Sequence, residues 1–176
     1  MKRIPFLTIM CCYCLFIACN TAAPERYFDL AVLNSNMMMG FANGGLQREL
    51  DQPSVKMSET NKDQVVPMKR KEIIDGKIKY LEEELGKLKQ LKQTDDAKDI
   101  MQASLALNEY ILPVYKIEYL QLAKLYDDGA SKEEIQSFSK AIHDKYYSRF
   151  DELYNKLITT GKTYAERHNI KVNWRS

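Results

Sequence analysis

From residue 67 onwards the apolar positions recur at alternating spacings of four and three. Ile74, Ile78, Leu81, Leu85 and Leu88 follow this step, which stacks side chains into one stripe along a helix. It predicts a helix from Pro67 or Met68 to Lys92, with proline suited to the first turn. A second stripe, Met101, Leu105, Asn108, Leu112, Tyr115, Tyr119, Leu122 and Tyr126, predicts a helix from Asp95 to Tyr126. Thr94 stands ready as its N-cap and Gly129 as the stop just beyond it. A third helix opens at Ser131-Lys132-Glu133-Glu134, a capping-box sequence. It carries Ile135, Phe138, Ile142, Tyr146, Phe150, Leu153, Leu157 and Tyr164 to an end near His168. Upstream, Tyr27, Leu30, Asn34, Met38, Phe41 and Gly45 also fall at helical spacing. They predict a first helix from Arg26 to about Leu50, weakened by Gly40, Gly44 and Gly45. Residues 51–66 are polar, contain Pro53 and show no strand alternation, so they read as a loop. Short connections make neighbouring helices antiparallel. The expected fold class is all-α, an up-down antiparallel bundle of four helices.

The first residues follow a different pattern. Met1-Lys2-Arg3 precedes an apolar run from Ile4 to Ile17, and the run closes with Leu15-Phe16-Ile17-Ala18-Cys19. About 14 apolar residues are too few for a membrane-spanning helix, which needs about 20, and fit the h-region of a signal peptide. The segment resembles a bacterial lipoprotein signal peptide with its lipobox. The resemblance implies cleavage before Cys19, acylation of Cys19, and a protein tethered to a membrane outside the cytoplasm. The chain then divides into a signal peptide (1–18), a lipidated cysteine and spacer (19–25), a helical domain (26–170) and a C-terminal tail (171–176).

That division changes the charge. The chain has 26 basic and 24 acidic residues. Lys2 and Arg3 leave with the signal peptide, and 24 basic residues then face 24 acidic ones. A neutral domain offers no electrostatic footprint for nucleic acid. All four cysteines (Cys11, Cys12, Cys14 and Cys19) lie in the N-terminal segment. The mature domain has no disulfide, no thiol nucleophile and no cysteine metal ligand, and no cofactor is expected.

Chemistry is sparse in the remainder. His143 and His168 are the only histidines, and neither belongs to a Glu-x-x-His or His-Glu-x-x-His motif. No metal site is expected. His143 reads as a boundary residue stacked on Tyr147, and His168 as a cap at a helix end. Gly161-Lys162-Thr163 lacks the upstream glycine and strand of a phosphate-binding loop. Met37-Met38-Met39 cannot all face one ion from a helix and read mainly as core. Gly40 and Gly44 have a small-xxx-small spacing, which suggests close helix packing. Pro113 removes an N–H that would bond to the Glu109 carbonyl and should bend its helix beside Asn108. A cavity at the bend would be lined by Asn108, Glu109, Leu112, Tyr115, Tyr146 and Phe150, the candidate ligand pocket.

With the lipobox, the helical body looks like the small helical envelope lipoproteins of Bacteroides-type bacteria, a resemblance that names no activity. Asn20-Thr21-Ala22-Ala23-Pro24 follows the cysteine in place of the acidic stretch associated with surface display, which implies an outer-membrane position facing the periplasm. The expected function is non-enzymatic: a lipid-anchored envelope protein with a structural or protein-interaction role. Its partners are the membrane, through Cys19, and envelope proteins or further copies of itself. The alternative is a ligand-binding lipoprotein with an aromatic pocket for a sugar or small apolar molecule.

Overall fold

A computed structural model describes residues 22–174; the expected signal peptide and Cys19 lie outside the described residues. The chain is predominantly helical. In order it forms α1 (Pro24–Ala31), a 3₁₀ segment (Leu33–Met38), α2 (Gly45–Asp51), β1 (Val55–Met57), β2 (Val65–Pro67) and α3 (Arg70–Gln90). Then come α4 (Lys98–Val114), a π-helical turn (Tyr115–Tyr119), α5 (Leu120–Asp127) and α6 (Lys132–Arg167). Among the described residues, no helix is long and apolar enough to cross a membrane.

The periodic stripes are the buried faces. Ile74, Leu81, Leu85 and Leu88 of α3 are buried, with Ile73 beside them and Ile78 at the edge. Ile135, Ile142, Phe150, Leu153, Leu157 and Tyr164 of α6 are buried, and Phe138 and Tyr146 partly so. The α4 stripe is broader than its 4-3 spacing suggests. Leu107 and Ile111 are fully buried while Leu105 and Leu112 only border the core. The reason is position: α4 packs on α1, α3 and α6 at once. Cross-helix bonds show the directions. Lys89–Glu109 and Lys116–Glu82 join α3 to α4 and its π turn. Tyr110 of α4 donates to the Tyr146 carbonyl of α6, and Arg167 pairs with Asp96. Rising numbers on one helix meet falling numbers on the next, so both pairs are antiparallel.

Several helix ends follow their sequence signals. The Ser131 hydroxyl accepts the Glu134 N–H at 3.1 Å and starts α6. The Thr94 hydroxyl accepts the Ala97 N–H at 3.1 Å ahead of α4. Gly129, at φ 74°, takes the left-handed conformation that ends α5, and the Ala130 N–H reaches back to the Leu125 carbonyl. His168 follows α6 as its C-cap residue.

Three expectations are corrected. The helix drawn from Arg26 to Leu50 is broken into α1, the 3₁₀ segment and α2. Ala42 and Gly44 have φ of 50° and 80°, and a Cβ on Gly45 would lie 2.7 Å from Gly40 Cα. Gly40 and Gly45 therefore touch each other across a tight turn, and the Gly40/Gly44 spacing serves this turn rather than a helix–helix contact. The 51–66 loop contains an antiparallel hairpin, with Val55 opposite Pro67 and Met57 opposite Val65. Pro67 accordingly ends β2 instead of opening α3, whose first residue is Arg70. The helix drawn from Asp95 to Tyr126 is divided into α4, the π turn and α5, the π turn beginning two residues past Pro113.

Candidate functional site

The six residues expected to line a pocket are not gathered around one space. Asn108 is buried, and its amide is spent on its own helix, donating to the Ser104 carbonyl at 2.9 Å. Glu109 points away from the core and pairs with Lys89 at 2.8 Å, both side chains more than half exposed. Leu112 is partly buried. Tyr115 and Phe150 do meet, through Phe41, whose ring lies 5.8 and 4.9 Å from theirs. Tyr146 turns outward from this cluster. Its hydroxyl donates to Glu118 at 2.7 Å, and Lys145 sits 4.8 Å over its ring. The residue missing from the expectation is Phe41. It is fully buried and also contacts Tyr110 and Tyr119. It reaches this place because the glycine turn folds the first segment inward, which helical spacing alone does not indicate. Burial holds the Tyr115 hydroxyl far above the usual phenol range.

Among the described residues, two of the larger cavities lie near this core. The first, about 460 Å³, lies between the 42–47 turn and α6. Strained Ala42 is held on both sides: its N–H donates to Tyr119 Oη at 2.8 Å, and its carbonyl lies 2.6 Å from His143 Nδ1. A carbonyl can only accept, so Nδ1 is the donor in this contact, and the ring stacks on Tyr147 at 4.9 Å as the i+4 spacing predicts. Ser139 donates to Gln47 Oε1 at 2.7 Å, closing one wall. Burial raises the Tyr119 phenol to about 12, against the pull of the Ala42 N–H. It is therefore a hydrogen-bonding group at neutral pH and not a base. Tyr119, His143, Ser139 and Gln47 are engaged in holding the turn to the π turn and α6, while Lys140 and Asp144 pair with each other along α6.

The second cavity, about 530 Å³, lies between the 3₁₀ segment, α6 and the C-terminal tail. Its floor follows from Gly161. With no side chain there, Val32 comes within 3.0 Å of where a Cβ would sit and Trp174 within 3.5 Å. The tail thus folds back over α6, and Trp174 stacks edge-on against buried Phe28 at 5.9 Å. Tyr154 and Ile158 form the α6 wall, and Leu33 and Met39 the opposite one. The methionine triplet divides accordingly: Met38 is 2% exposed in the core, while Met37 and Met39 are about half exposed. Lys162 lies over the indole, Nζ 5.7 Å from the ring centre. Residues 171–174, read from sequence as a mere tail, supply this wall. The missed signal was Trp174, the one tryptophan of the chain.

Among the described residues, no three or more His, Cys, Asp or Glu side chains come together as metal ligands would. His168 Nε2 lies 2.6 Å from Asp96, out of line for a hydrogen bond. No family model matches the sequence, and no curated protein or solved structure is significantly similar to it.

Proposed function

We propose that the protein is a lipid-anchored envelope protein whose helical body has a structural or protein-interaction role without catalysis. The observation that carries this reading is Leu15-Phe16-Ile17-Ala18-Cys19 behind Lys2-Arg3. Acyl chains on Cys19 contribute ~0.8 kcal/mol per buried CH₂, and more than one chain is needed for stable anchoring. The body supports the reading in two ways. Its first helix begins at Pro24, so a lipid at Cys19 would hold it close to a bilayer. The histidine and buried tyrosine of the polar cleft are committed to structural bonds. We further propose the four-rod, up-down arrangement, with the broken segment from α1 to α2 in the place of the first helix. Tyr27 meets Lys92, and Leu50 meets Arg70, so this segment runs antiparallel to α3.

The test is metabolic labelling with an alkyne fatty acid, followed by membrane fractionation. The native chain should take up label and pellet with membranes; Cys19→Ala should do neither. Protection from protease in intact cells would place the anchored protein on the periplasmic side. Equal membrane retention of the Cys19→Ala chain without label would reject the anchor.

A second reading, a ligand-binding lipoprotein, is favoured by the Trp174 groove, whose volume lies in the range of small-molecule sites.

A further inference from the structure

We propose that the Trp174 groove binds a small amphipathic carboxylate: one apolar body, aromatic or aliphatic, carrying a single anionic head. The inference rests on the ligand-binding reading above and gives it a chemical class. It stands whether or not Cys19 is lipidated.

The groove has the composition of a small-molecule site, apolar and aromatic walls with a few polar groups. Trp174 and Tyr154 offer ring faces, and Ile158 with Met39 offers aliphatic surface. Met39 keeps half its surface exposed, and Leu33 beside it two-fifths. An apolar ligand body would cover both. Burial of such surface contributes roughly 25 cal/mol per Å².

The head group is chosen by Lys162. Its ammonium lies over the Trp174 ring and forms no ion pair among the described residues. The lining contains no acidic side chain; its other polar side chains are Asn36, Asn173 and the Tyr154 hydroxyl, with Asn155, whose amide donates to Asp151 at 3.0 Å at the rim. A carboxylate would therefore meet one cation and the amides of Asn36 and Asn173, with no acid in the lining itself. A cationic head would meet Lys162 unshielded, and a neutral one would leave the ammonium without an anion. Charge-assisted hydrogen bonds are roughly twice as strong as neutral ones, so the anion is the head the groove favours.

The single tryptophan makes the test direct, because all indole emission comes from this wall. The full chain, purified in a non-ionic detergent, is titrated with 4-phenylbutyrate and, separately, with its neutral amide, 4-phenylbutanamide. Trp174 emission should shift saturably with the acid, at a midpoint well below that of the amide. Lys162→Gln should weaken the acid about tenfold, equivalent to ~1.4 kcal/mol, leave the amide unchanged and preserve the far-ultraviolet helix signal. Lys162→Arg should restore most of the affinity. Equal midpoints for acid and amide, indifferent to Lys162→Gln, would overturn the carboxylate class and leave an apolar site. Absence of a saturable response to either compound would overturn both the class and the ligand-binding reading.

Discussion

The carboxylate of Asp127, at the end of α5, accepts the N–H groups of Arg70 and Lys71 at 2.9 and 3.0 Å. These are two of the free donors at the start of α3, where the helix dipole also favours negative charge. The bond closes one end of the α3–α5 pair across 57 residues of sequence. Asp127→Ala should cost about 1–2 kcal/mol, read as a lower urea midpoint with an unchanged slope. Three other carboxylates set the acid response. Asp96 is held below the usual range first by Arg167 and then by His168, Glu72 by Lys56 and the Lys69 N–H, and Glu118 by Tyr146 and Lys145. A depressed folded pKa means stability that is present above the unfolded value and lost as pH falls through the folded one. Unfolding midpoints should therefore be flat above about pH 5 and decline below about pH 4. Asp96→Asn should make that decline shallower; an unchanged acid limb would show that the Arg167 contact contributes nothing to folding. Contacts of this kind were not legible in the sequence. Asp127 reads there as one of two acids ahead of Gly129, and nothing in the local pattern points it at Arg70.

At the scale of elements, legibility followed how far a local signal had to compete with the rest of the fold. Ser131 and Gly129 sit where their side chain or backbone alone decides the outcome, and both mark real helix ends. The α3 stripe was legible because that helix buries one face. The first helix was not, since hydrophobic spacing persists through a turn that Gly40 and Gly45 make by touching. The hairpin was hidden because its strands are three residues each, with Val55 and Val65 facing solvent, which leaves no buried alternation to read. Phe41 comes from the first segment rather than from the two helices assigned to the expected pocket, and its ring lies between Tyr115 and Phe150. Pro113 was expected to bend its helix; α4 runs through it, and a π turn begins two residues on. Pro113 itself is exposed and lies inside α4. An interior proline costs about 3 kcal/mol relative to alanine. Of that, about 1 kcal/mol is returned by the stiffer unfolded chain. Pro113→Ala should therefore stabilise the protein by about 1–2 kcal/mol, seen as a higher thermal midpoint. A loss of stability would mean that the bend is needed to seat Tyr115 and Tyr119 against Phe41.

The whole molecule has two different ends, and the proposed anchor selects between them. α3 has 21 residues, about 31 Å at 1.5 Å per residue. At its final turn Tyr27 of α1 donates to the Lys92 carbonyl at 2.7 Å. At its first turn lies the hairpin, tied on by the Lys56–Glu72 ion pair at 2.5 Å. Only residues 20–23 separate Cys19 from Pro24, five steps that a fully extended chain covers in about 17 Å. Acyl chains at Cys19 would then hold the Lys92 end near the headgroups and leave the hairpin tip the length of α3 further out. There Val55, Met57 and Val65 are each more than half exposed. On the proposed anchor, the cysteines at 11, 12 and 14 would leave with the signal peptide and Cys19 would be acylated, so a cysteine introduced into the helical body would be the one free thiol. A fluorophore on Lys92→Cys should be quenched by a nitroxide on lipid headgroups. The same fluorophore on Lys62→Cys, in the hairpin turn, should escape quenching. Equal quenching at the two positions would mean that the body lies flat on the bilayer. The reverse order would mean that the anchor is not at Cys19.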